Sequence, residues 1–454
     1  MSVSLLNNNY IICNAKVVNE GCVSQCHVYV HNGMIEGIYA ASKSLDSLPI
    51  LSQVPVIDAH GQYLMPGMID AHVHFRQPGA THKADMYSES RAAVAGGVTS
   101  VMDMPNVNPP TVTNALLEER FEMGHRNMQC NYSFYLAATD GNISEIQKID
   151  KSRVCGVKLF IGSSTGNLLI SNDTVLEQVL STEGLPLAVH AEDESMIQSN
   201  MQAYKIRYGE NVPIQCHSVI RSREACVAAT SKMIDKARKY HSQMHILHVS
   251  TANELQLLQK AACDNITFEV CPSYLYFCDE DYQEFGSKIK CNPAIKTAGD
   301  KLSLIQAAAM GAVSTVGSDH APHLWAEKQQ PYFSCPSGMP MVQHSMLILL
   351  KMVKQGILSI EQLAALTAHH PADIYHVDKR GYIREGYYAD MILVDMDAAV
   401  EVNKDNIYYK CKWSPLEGKS FPASVTATFV NGVKVYDKGQ FADNPLAMEL
   451  KFNR

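Results

Sequence analysis

The run Gly67-Met68-Ile69-Asp70-Ala71-His72-Val73-His74 is largely apolar on both alternating sets of positions until it closes on two histidines. Such a run reads as a strand covered on both faces, the kind that parallel sheets bury between helices. Short apolar runs of the same style recur outward from it, at 98–104, 132–137, 156–161, 186–190, 245–249, 267–271 and 313–319. Several are followed by helix-like segments, at 84–95, 114–123, 221–240 and 252–262. This alternation predicts a (β/α)8 TIM barrel with insertions over residues 66–381. A doubly wound open sheet is the competing arrangement.

The flanks have a different texture. Between 10 and 62, short alternating runs such as Val28-Tyr29-Val30 and Ile35-Glu36-Gly37-Ile38 are separated by Asn-Gly and Gly punctuation. The C-terminal side repeats it, with 391–394 and 425–430 followed by Asn431-Gly432 and then 433–436. Runs joined this way read as strands with tight turns. Neither flank is large enough to cover two sheet faces alone, so residues 1–65 and 382–454 are expected to build one small β-sandwich domain together.

Composition narrows the function. The 454 residues carry 38 Lys+Arg and 46 Asp+Glu, a formal charge of −8, with 46% hydrophobic and 19% charged positions. That balance belongs to a chain that folds around a core. An acidic chain without a basic block argues against nucleic acid or anionic membrane as a partner. Apolar stretches such as 346–350, cut by Lys351, stop well short of the roughly 20 residues that span a bilayer. The opening residues show no basic segment followed by an apolar one, as a secretion signal would. Thirteen cysteines without CxxC pairs suit reduced thiols. The expectation is a cytoplasmic protein.

In barrels of this type the chemistry sits at the C-terminal ends of the strands. Here the first run ends in His72 and His74, the fourth holds Lys158, the fifth ends at His190, the sixth brings His248 and the eighth Asp319. Residues two apart on a strand share a face, so His72 and His74 can address one ion. Taken singly, His190 or His248 reads as a hydrogen-bonded rim histidine and Asp319 as a helix cap. Their joint occurrence at corresponding strand ends is what points to a metal centre.

Lys158 lies within Gly156-Val157-Lys158-Leu159-Phe160-Ile161, where an ammonium is costly unless its charge is compensated. It reads as a buried ion pair, as a Schiff-base lysine, or as an amine that has captured CO2. The Schiff base leaves four histidines and an aspartate without work. A carbamate instead adds an anionic, two-oxygen ligand that bridges two cations. With His72, His74, His190, His248 and Asp319 it completes a binuclear site for two divalent ions such as Zn2+.

These residues resemble the amidohydrolase superfamily and, within it, the dihydroorotases. The likeness runs from about 66 to 390 and rests on 66–79, Met104-Pro105-Asn106, Gly156-Val157-Lys158-Leu159-Phe160, Val189-His190-Ala191-Glu192 and Leu247-His248-Val249-Ser250. It continues through Lys290-Cys291-Asn292-Pro293 and Gly317-Ser318-Asp319-His320-Ala321-Pro322-His323. The resemblance implies that Arg76, Asn106 and His323 hold a substrate carboxylate, and that Asn292 and the backbone at Ser337-Gly338 contact its ring. The residues agree with that: Arg76, two beyond His74 and expected on the same strand face, is repelled by a dication unless an anion lies between. Asn106 supplies both a donor and an acceptor. Two departures stand out. Pro272-Ser273-Tyr274 replaces a Pro-His-His of relatives, and Gly162-Ser163-Ser164-Thr165-Gly166, at the spacing of a substrate-covering loop in relatives, reads more simply as a flexible polar linker.

The implied reaction is the reversible closure of N-carbamoyl-L-aspartate to L-dihydroorotate, in pyrimidine synthesis. His72, His74 and Asp319 would serve one ion, His190 and His248 the other, with carboxylated Lys158 bridging them. Asp319 would be base and then acid. A homodimer is compatible with the resemblance. The runner-up is a hydantoinase-, dihydropyrimidinase- or allantoinase-like cyclic amidase; a non-catalytic scaffold relative or a Schiff-base lyase stands further off.

Overall fold

Eight parallel strands close around one axis in the computed structural model, which describes residues 9–43, 54–161, 168–443 and 446–454. They are Met68–Val73, Val98–Asp103, Asn131–Ala137, Gly156–Ile161, Leu187–Ala191, Met244–Ile246, Ile266–Val270 and Thr315–Val316. Each pairs in parallel with its successor. A parallel bridge between Val73 and His320 joins the last to the first, with the His74 N–H donating to the His320 carbonyl at 2.8 Å. The result is a barrel, not an open sheet, and each apolar run of the sequence contributes one strand. The first three are buried along their whole length, as their unbroken apolar character requires.

Helices between the strands start where side chains cap them. Asp85 accepts from the Ser88 N–H ahead of Met86–Ala95, Ser222 from Ala225 ahead of Arg223–Tyr240, and Thr251 from Glu254 ahead of Ala252–Ala261. Each cap satisfies an amide the helix cannot and is worth about 1 kcal/mol. They also trim the expected starts by up to two residues.

The chain's two ends meet in one nine-stranded sheet. Tyr63–Pro66 from the N-terminal side pairs antiparallel with Met391–Asp395 from the C-terminal side. The sheet curls on itself, bringing the Tyr10 ring to 5.7 Å from Phe429 around a core that includes Ile12, Val28, Met391 and Leu393. Its Asn431-Gly432 turn has positive φ at both residues, joining Ser424–Val430 to Val433–Asp437 as the sequence predicts. Residues 446–454 do something the sequence does not announce. They leave the sheet for the N-terminal end of the barrel strands, where Leu450 and Phe452 pack with Ile69 and Tyr135. The Arg454 guanidinium there donates to the carbonyls of Val154, Cys155 and Tyr375. All thirteen cysteines are unpaired. Among the described residues no helix is long and apolar enough to cross a membrane.

Candidate functional site

A cavity of about 490 Å³ opens at the C-terminal ends of the strands. It is lined by His72, His74, Lys158, His190, His248 and Asp319, and on its other side by Arg76, Asn106, Asn292, His323 and Gly338. Residues from eight segments spread over more than 260 positions thus share one space.

The donors fall into two groups. His72 Nε2 and His74 Nε2 each lie 3.2 Å from Asp319 Oδ1, and one donor atom from each of the three falls within 4.8 Å of the others. Across from them, His190 Nδ1 and His248 Nε2 stand 2.8 Å apart. Lone pairs aimed at each other across that distance repel unless a proton or a cation lies between. Lys158 sits among both groups, its charge bearing on His72, His190, His248 and Asp319 alike. It is almost wholly buried, with Nζ 4.8 Å from the Phe160 ring centroid and no hydrogen bond or ion pair among the described residues. Burial pulls its amine down to about 7, against the opposing pull of Asp319 and Glu269. A neutral amine is the form that reacts with CO2. Borderline nitrogen donors, a carboxylate and an amine open to carboxylation suit a pair of divalent cations.

Three site residues depart from the expected strand geometry. Arg76, His248 and Asp319 have φ of 65°, 42° and 45°, left-handed values that cost a non-glycine residue on the order of 1 kcal/mol. The first strand ends at Val73, so Arg76 reaches the cavity through a turn and not by sharing a strand face with His74. The sixth strand stops at Ile246 because the His248 N–H is claimed by the Glu269 carboxylate, at 3.1 Å. The eighth stops at Val316 because the Ser318 N–H donates to Asp70, at 3.0 Å.

Glu269 is a residue of the site's surroundings that sequence reasoning misses. Its carboxylate accepts from His72 Nδ1–H, which leaves Nε2 with a lone pair for the cavity. Burial works to raise this carboxyl, but His72 and His245 together hold it below the usual range. The signal was a lone Glu in the apolar run Thr267-Phe268-Glu269-Val270. Gly317 is needed beside it, since a Cβ there would collide with the Glu269 carboxylate. Other histidines of the cavity also have partners: His74 Nδ1–H donates to Asn106 Oδ1 at 2.8 Å, and His190 Nε2 lies 2.9 Å from the Glu192 carboxylate, itself paired with Arg221, without forming a well-aligned hydrogen bond. Glu269→Ala is expected to weaken metal binding about 10- to 100-fold, read by titrating metal into the stripped protein.

The cavity's other end is built for an anion. Arg76 is anchored through Nε to the Pro322 carbonyl at 3.2 Å, with Nη2 3.1 Å from His323 Nε2. Burial lowers the guanidinium to about 10, so it stays charged at neutral pH. Asn292 Oδ1 is buried and has no partner among the described residues, an acceptor left for a ligand N–H. Gly338, at φ 132°, closes against the Ala321 carbonyl where no side chain fits. The Lys328 ammonium, fully buried, donates to the carbonyls of Lys290, Pro336 and Gly338 and pins that loop. Residues 162–166, which read as a flexible polar linker or as a covering loop, lie outside the described residues.

Comparison with known proteins agrees with this geometry. Residues 63–435 match the model of the amidohydrolase family. A dihydroorotase from Halobacterium salinarum is 34% identical over 386 residues, spanning 84% of this chain and 88% of that protein. An allantoinase from Bacillus velezensis is 29% identical over 437 residues, 94% of each. Among solved structures, an L-hydantoinase (dihydropyrimidinase) from Arthrobacter aurescens superposes with a TM-score of 0.92. It covers 98% of this chain and 100% of that one at 23% identity, a likeness of fold alone.

Proposed function

The chain belongs to the amidohydrolase family, and from that premise we propose that it is a dihydroorotase, interconverting N-carbamoyl-L-aspartate and L-dihydroorotate with two divalent cations, Zn2+ by donor type. The observation that carries this reading is the junction, in one cavity, of two converged donor groups with a buried arginine. A guanidinium beside cations is unfavourable unless the ligand between them is an anion. Dihydroorotate supplies one, as its ring bears a carboxylate that hydantoin, dihydrouracil and allantoin lack.

His72, His74 and Asp319 would hold one cation and His190 and His248 the other, with carboxylated Lys158 between. Bound there, two cations make water acidic enough to attack at neutral pH and polarise the ring carbonyl. The protein's own groups do the rest. Arg76 and His323 take the carboxylate. Asn106, its Oδ1 committed to His74, turns its NH2 toward the same group, and Asn292 Oδ1 receives a ring N–H. Held at both ends, the ring amide is fixed for in-line attack. Asp319 removes the proton from the attacking water and returns it to the departing ring nitrogen.

A panel of dihydroorotate, hydantoin, dihydrouracil and allantoin, assayed with metal analysis, tests the reading. Turnover confined to the substrates without a carboxylate would overturn it. Arg76→Met is expected to weaken dihydroorotate binding about 100-fold, the worth of charge-assisted hydrogen bonds, with metal content unchanged. Unaltered affinity would remove the specificity argument.

A further inference from the structure

His323 faces a donor at each ring nitrogen. Lys83 Nζ lies 3.2 Å from Nδ1, and Arg76 Nη2 lies 3.1 Å from Nε2. Ammonium and guanidinium groups only donate, whereas a neutral imidazole offers one N–H and one lone pair. The two contacts cannot both be hydrogen bonds. Burial, then the charges of Arg76, Lys328 and Lys83, keep the ring neutral. The backbone chooses between the tautomers: Nε2 is also 3.1 Å from the Ser337 carbonyl, which only accepts. Nε2 therefore carries the hydrogen, and the Nδ1 lone pair receives Lys83. The Nε2–H has the Ser337 carbonyl as its acceptor, Arg76 meets it donor to donor, and an acceptor oxygen entering from the cavity would take Arg76 and share that hydrogen.

We infer that Lys83 is a positioning residue for the substrate carboxylate, fixing His323 as the Nε2–H tautomer so that it and Arg76 present converging donors. The inference rests on the dihydroorotase reading and deepens it. Lys83 lines the same cavity and is held by Glu327 Oε1 at 3.0 Å. The His323 backbone is held in turn by Trp413, whose Nε1–H donates to its carbonyl at 2.7 Å. Without Lys83, the ring is free to move its hydrogen to Nδ1. The Nε2 lone pair then accepts from Arg76, the two groups satisfy each other, and an incoming carboxylate meets a lone pair instead of a donor.

The test is steady-state kinetics with dihydroorotate on the metal-replete enzyme. Lys83→Met should raise KM about tenfold or more, the loss of one hydrogen bond to a charged group, with a much smaller fall in kcat and the same metal content. Lys83→Arg, which still donates to Nδ1, should recover most of the affinity. In a double-mutant cycle, Lys83→Met should add little to His323→Ala, because the lysine acts through that ring. An unchanged KM in Lys83→Met, or independent multiplication of the two effects, would overturn the inference alone. A wild-type enzyme that ignores dihydroorotate would overturn the parent reading and this inference with it.

Discussion

Lys158→Ala is expected to lower kcat for dihydroorotate about 1,000-fold or more, equivalent to the several kcal/mol that a metal centre contributes to the transition state. The variant should retain at most one tightly held cation per chain. The amine stands among both donor groups, and no other described anion lies between them. Two dications held close together repel strongly at low effective dielectric, so removing the bridging charge should cost the second ion and not merely loosen it. Folding is a separate matter. Lys158 has no hydrogen bond or ion pair among the described residues, so Lys158→Met, of similar length, should fold and still fail to load. Small carboxylic acids that fit the space left in Lys158→Ala should restore part of the activity. Two metals per chain with near-normal turnover in Lys158→Ala would end the carbamate proposal.

The same residue gives the pH dependence a definite sign. CO2 adds to the neutral amine, and burial has brought this amine from 10.5 to about 7. Metal loading of the stripped protein should therefore need bicarbonate and quicken as pH rises through about 7. In the metal-free protein the shift also acts on stability. Between about 7 and 10.5 the unfolded chain binds a proton at Lys158 that the folded chain lacks, so this group makes stability rise with pH across that window and adds no slope below it.

What the sequence makes legible here follows from where polarity interrupts apolar runs. His72, His190 and Lys158 are visible because an unbroken hydrophobic strand makes any polar member costly. Eight such runs favour a barrel over an open sheet, and the Val73–His320 bridge that closes it is visible only in the structure. Glu269 obeys the same rule and was still missed, because a lone acid in a strand acquires meaning only beside its partner. That partner, His72, is 197 positions away. Arg76 was placed correctly in the cavity for the wrong geometric reason: strand alternation does not anticipate a left-handed turn that begins three residues after the strand ends. The return of residues 446–454 to the barrel floor is set by a surface that only the assembled barrel presents. Lys83 escaped notice for the opposite reason, since a lysine in a polar loop is ordinary until it is found against a histidine.

Asp319→Asn is expected to reduce kcat about 1,000-fold in both directions, near the upper range for a positioned acid–base group. The substitution keeps the side chain's volume and removes its charge, its capacity to carry a proton and part of its hold on the cation it would share with His72 and His74, so the comparison is made at matched metal content. Burial works to raise this carboxyl, but the His72 charge, the His74 hydrogen bond and Lys158 hold it below the ordinary value. That holds for the metal-free protein; in the loaded site a carboxylate is ionised at neutral pH on its ordinary value alone, and so can accept a proton as hydrolysis requires. Ring closure runs the same path backward and must begin with Asp319 protonated, so its rate should climb as pH falls while hydrolysis slows. Hydrolysis releases a proton overall, so the ratio of the two directions changes with pH in any variant; what Asp319→Asn should lose is the ionisation that Asp319 itself adds to each profile. KM for dihydroorotate should move little, in contrast to Arg76→Met, because the carboxylate is held at the other end of the cavity. A wild-type ionisation that survives unchanged in the Asp319→Asn profile would assign the proton transfer to another group lining the cavity.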